Sequence, residues 1–125
     1  MGMNPQFSIY TVPLSNWNYA AAASGLLNTT TAVTIKTAVG GNVKNYISAF
    51  TIVSEALGAA TEFVIRDGAG GTVLWRTKIG TGGVTREVTL NTPLASSANT
   101  LLEVATLTAS VTGAVYFNAQ GITGL

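Results

Sequence analysis

The chain predicts an all-β fold: a single-domain antiparallel two-sheet sandwich of jelly-roll type, with an immunoglobulin-like sandwich as the alternative and an extended N-terminal arm in front. Three observations predict it. Apolar and polar residues alternate with period two in run after run, which suits a half-buried strand and not a helix. Glycine, asparagine or proline turns separate runs of about 6–10 residues, giving the seven or eight short strands of a sandwich or small barrel. No run has helical periodicity over ten or more residues, so an α/β fold is not expected. Antibody-type domains carry a cysteine pair that this chain lacks, which ranks the jelly roll first. The expected organisation is an arm over residues 1–31 and a sandwich over 32–125.

The arm mixes Pro5 and Pro13 with Phe7, Ile9, Tyr10, Val12, Leu14, Trp17 and Tyr19. It is too aromatic for a solvated tail and too interrupted by proline for a regular element. It is expected to lie extended, on its own domain or on a neighbour. Ala20–Ala23 before Ser24-Gly25 suggests at most one turn of helix.

The first sandwich strand is expected over 32–39, where Val33, Ile35, Thr37 and Val39 alternate with Thr34, Lys36 and Ala38. Gly40-Gly41-Asn42 then turns the chain. A long strand over 43–54 changes phase: Ile47 and Val53 have one parity, Tyr46, Phe50 and Ile52 the other. Either both faces are covered or a bulge shifts the register. Residues 61–79 form the strongest unit, a hairpin whose turn carries Asp67-Gly68 and Gly70-Gly71. Phe63 and Ile65 share one face of its first strand, and Val73, Trp75, Thr77 and Ile79 share one face of its second. Further strands are expected over 84–90, 100–107 and 114–122, with an irregular loop over 91–99.

Composition narrows the function. The chain has no cysteine, which excludes disulfides and thiolate metal sites. It has no histidine, which removes the commonest general base and metal ligand. Only 9% of residues are charged, against about 25% in typical soluble domains. So neutral a surface is expected to be covered by copies of itself or by a larger assembly. The six cations, Lys36, Lys44, Arg66, Arg76, Lys78 and Arg86, form no basic stripe, so no nucleic-acid partner is expected. No apolar run reaches membrane-spanning length, and the start lacks the pattern of a signal peptide, so synthesis in a cytoplasm without export is expected.

No catalytic constellation emerges, and none is expected, nor any cofactor or metal. The acids Glu55, Glu62, Asp67, Glu87 and Glu103 are scattered and are expected to be solvated or paired with arginines across strands. A serine nucleophile would need a lysine base, but no Ser-x-x-Lys occurs. The glycine-rich segments lead into no Lys-Ser/Thr and no helix, so they do not read as phosphate loops. Asp67 is accounted for by its turn, and Trp75 by the core. The interface candidates are Phe7, Tyr10, Trp17 and Tyr19, because aromatic anchors dominate protein interfaces.

Several phrases carry a resemblance. Lys44-Asn-Tyr-Ile-Ser-Ala-Phe-Thr-Ile52, Thr61-Glu-Phe-Val-Ile-Arg-Asp-Gly68 and Val73-Leu-Trp-Arg76 are one set. Thr92-Pro-Leu-Ala-Ser-Ser-Ala-Asn-Thr-Leu101 and Gly113-Ala-Val-Tyr-Phe-Asn-Ala-Gln-Gly121 complete it. Over residues 33–122 the chain resembles small β-sandwich virion proteins of tailed bacteriophages, most of all capsid decoration (cement) proteins. The resemblance implies a non-enzymatic structural protein on the virion capsid surface. It would bind the major capsid protein, associate with itself as a homodimer or homotrimer, and brace the shell by bridging subunits. The same phrases also resemble head-fibre and tail-associated modules, which implies receptor or carbohydrate binding as the alternative.

Overall fold

The computed structural model describes residues 15–27, 30–109 and 111–124. Its strands are β1 (Trp17–Tyr19), β2 (Leu26–Leu27), β3 (Val33–Lys36), β4 (Lys44–Ser54), β5 (Thr61–Asp67), β6 (Thr72–Ile79), β7 (Val84–Ala95), β8 (Leu102–Thr106) and β9 (Ala114–Gly124). No helix occurs among the described residues. A five-stranded sheet runs β1-β9-β4-β7, with β2 also on β9, and a four-stranded sheet runs β3-β8-β5-β6. The β4–β9 ladder reaches from Lys44↔Gly124 to Ser54↔Val115, so β1 and β2 share the opposite edge of β9.

The antiparallel pairs nest: β1 and β2 with β9, β3 with β8, β4 with β7, β5 with β6. A long hairpin rolled up in this way is the jelly roll expected from the turn spacing, and its order differs from that of an immunoglobulin sandwich. Of the segment expected as an arm, residues 15–27 and 30–31 are described, and the first of these stretches carries β1 and β2.

The phase change in β4 is a bulge. Both of its ladders skip Ser48: Ile47 pairs with Gly121 and Leu94, Ala49 with Gln120 and Thr89. An extra residue reverses which side chains face inward. Asn45 and Ile47 therefore point into the sandwich before the bulge, and Phe50 and Ile52 after it, all four buried. On β7 the same irregularity spans 90–93 and takes in Pro93, which an edge strand tolerates because no ladder needs its missing N–H. The strand thus runs on to Ala95, where the sequence suggested a loop.

The β5–β6 hairpin forms as expected, closing through Gly71 N–H to the Gly68 carbonyl at 3.0 Å. One detail differs. A register shift pairs Ile65 with Trp75 but Arg66 with Val73. Leu74 packs against the core in place of Val73. Between the sheets, the Phe117 ring lies 5.2 Å from that of Phe63 and 5.5 Å from that of Phe50, and Phe50 meets Trp75 edge-on at 4.8 Å. Such pairs add about 0.5–1.5 kcal/mol beyond area burial.

Each end of the sandwich is tied differently. At one end the backbone knits itself: Leu57 N–H donates to Thr81 O, and Gly58 N–H to Thr112 O. At the other, Asn45 is a buried polar plug. Its Nδ2 donates to the carbonyls of Thr37 (3.0 Å) and Thr100 (3.3 Å), and its Oδ1 accepts from Thr123 Oγ1 (2.8 Å). One side chain so joins two interstrand connections to the last strand. Asn45→Ala strands these partners and is expected to cost about 2–4 kcal/mol. Asn45→Asp, which cannot donate to two carbonyls, is expected to cost at least as much. Both should lower the urea midpoint at unchanged m-value.

Candidate functional site

Two of the four interface candidates can be placed. Trp17 pairs with Gly121 on β9, half-buried against the core. A Cβ at Gly121 would come within 2.5 Å of Trp17 Cζ2 and would fall on the Tyr46 carbonyl oxygen. This close approach, not turn geometry, is what demands glycine there. The Trp17 Nε1 is buried and has no hydrogen-bond partner among the described residues. Tyr19 packs its ring 6.4 Å from that of Phe117. Both side chains therefore brace the outer row of the five-stranded sheet. Phe7 and Tyr10 lie outside the described residues. Gly121→Ala is expected to lower thermal stability by several kcal/mol, read by calorimetry, because the added Cβ overlaps a backbone carbonyl as well as the indole.

Four of the five acids have structural partners. Glu62 pairs with Arg76 at 3.1 Å, and Glu103 with Arg66 at 2.7 Å. Glu103 Oε2 also accepts from Gly70 N–H at 2.9 Å, so this buried carboxylate holds the hairpin turn. Asp67 does more than make its own turn: it accepts from Ser97 N–H (2.8 Å) and Ser97 Oγ (2.7 Å) in the β7–β8 connection. Glu55 accepts from Ala114 N–H at 2.9 Å. Among the described residues no three acids gather into a group that could hold a metal.

Charge is segregated between the two outer faces. On the four-stranded sheet, Glu62, Arg66, Arg76, Lys78 and Glu103 alternate with the inward Phe63, Ile65, Thr77 and Ile79. The outer face of the five-stranded sheet is nearly neutral. One cross-strand row is Asn18–Gln120–Ala49–Thr89, and the next is Asn118–Thr51–Glu87. Together they line an open groove of about 440 Å³. Asn118 Oδ1 accepts from Ala21 N–H at 2.9 Å at its rim. The sequence reading did not single out these residues. The outward alternation of Tyr116, Asn118 and Gln120 was legible, but their neighbours on other strands depend on register.

No protein-family model and no curated protein matches the chain. Among solved structures, the crystal structure of the infectious bursal disease virus VP2 subviral particle aligns over 90% of this chain at 14% identity and a TM-score of 0.27. This chain spans only 32% of that one.

The two ion pairs should differ sharply in worth. Arg66→Ala strips a buried carboxylate of its cation and is expected to cost about 3 kcal/mol or more. Arg76→Ala removes an exposed pair and is expected to cost less than about 1 kcal/mol. Parallel chemical denaturation of the two variants reads the difference.

Proposed function

We propose that the protein is a non-enzymatic structural protein of a tailed-phage virion, a decoration protein that binds the outer capsid surface and bridges neighbouring capsid subunits. The observation that carries this reading is the distribution of charge. Most of the ions sit on one sheet, where two pairs neutralise each other, and the outer face of the other sheet offers mainly small neutral side chains around a single carboxylate, Glu87. Such a surface is better suited to lying against protein than to standing alone. The resemblance of the strand and turn phrases to decoration proteins supports the same reading.

The segment carrying Phe7 and Tyr10 joins the sandwich at β1, on the outer row of its sheet. From that edge its aromatics can anchor on a capsid subunit while the sandwich stays whole. Individually modest contacts then hold through repetition over the lattice. Self-association as a dimer or trimer belongs to the same proposal.

The test is attachment to capsid shells assembled without the protein. Phe7→Ala/Tyr10→Ala is expected to weaken occupancy by roughly tenfold or more, the usual worth of aromatic anchors, with the thermal midpoint of the sandwich kept. Unchanged occupancy would remove the arm from the interface. Failure of the unaltered protein to bind shells would remove the capsid role.

A further inference from the structure

We propose that the groove across the outer face of the five-stranded sheet binds a neutral oligosaccharide. This does not rest on the capsid reading, because it uses only the residues that line the groove; a protein laid over the same face would compete with the sugar.

The groove crosses four strand rows, a span of about 14 Å at the usual interstrand spacing. Amides come from Asn18, Asn118 and Gln120, hydroxyls from Thr51 and Thr89, and a lone carboxylate from Glu87. The bond from Ala21 N–H fixes the Asn118 amide, since only its carbonyl oxygen can receive a backbone donor. Its NH₂ is thereby left to donate to a ligand. One row beyond, Val53 is 43% exposed opposite Tyr116, so an apolar shelf borders the polar rows.

This chemistry selects among occupants. An anion, whether phosphate or nucleic acid, would meet a carboxylate and no cation among the residues lining the groove. A peptide strand would find no free sheet edge, because the groove runs across the strands and not beside them. A second copy packed face to face would bring the Glu87 carboxylate against a lining that holds no cation. A neutral sugar chain offers what the groove can use: hydroxyls that both donate and accept, spread along apolar ring faces.

The experiment is a glycan array followed by calorimetry with any neutral hit, with maltohexaose, cellohexaose and chitohexaose titrated in every case. Binding of the intact protein to at least one neutral oligosaccharide is expected. Gln120→Ala and Glu87→Gln are each expected to weaken it roughly tenfold, the worth of one or two hydrogen bonds. Both side chains are exposed, so the fold should survive. Thr72→Ala on the opposite sheet should leave binding unchanged, and the side-chain amide resonances of Asn18, Asn118 and Gln120 should shift on titration. The proposal is overturned if no neutral glycan binds, if only sialylated or sulfated glycans bind, or if the Gln120→Ala/Glu87→Gln double variant binds like the parent.

Discussion

The extra residue at Ser48 governs much of this molecule. β4 lies between β9 and β7, so a single register break there is imposed on both neighbours. It lets one strand serve two environments. Before the break, inward positions carry Asn45 and Ile47 and close one end of the sandwich. After it, they carry Phe50 and Ile52 and feed the aromatic core. Without the break, Phe50 and Ile52 would face water whenever Asn45 and Ile47 faced the core. The same break sets Ala49 and Thr51 outward, beside Gln120 and Asn118. The floor of the groove and the packing of the interior thus follow from one irregularity.

Burial is shared between two kinds of contact. The aromatic rings of Phe50, Phe63 and Phe117 join the two sheets without directional bonds. The polar contacts act where the chain turns. Asn45, Asp67 and Glu103 each reach from one segment to another distant in sequence, and each accepts or donates to backbone groups. In a chain with only five acids, three have carboxylates occupied by backbone N–H groups and a fourth is held by an arginine. The cations are committed less: Arg66 and Arg76 are paired, while Lys78 and Arg86 stand exposed. The neutral surface thus has two causes: few ions in the composition, and most of the acids held by the fold.

Several elements were legible because their causes are local. The hairpin over 61–79 was readable from alternation and a glycine turn. The phase change in the long strand was readable, but the choice between a bulge and two covered faces waited on the ladders. The pairing of Glu62 and Glu103 with arginines agrees with the bland expectation for isolated acids. Other features were hidden. The shift that sends Val73 out and brings Leu74 in leaves no mark in a five-residue alternation. The extension of β7 past Asn91 depends on a distant partner strand, where Leu94 meets Ile47 and Ala95 meets Tyr46. The groove is assembled from four strands, and its residues are ordinary amides and threonines when read one at a time.

The order of residues by itself determined that this chain folds as β-structure, where most of its turns fall, and which chemistries its lack of histidine and cysteine removes. Those properties follow from side-chain type and near-neighbour spacing. Tertiary structure alone decided that charge collects on one sheet, that Gly121 must be glycine because an indole and a carbonyl crowd it, and that six commonplace polar residues share a groove. These depend on register between strands far apart in the chain, and register is settled by the packing of the whole core.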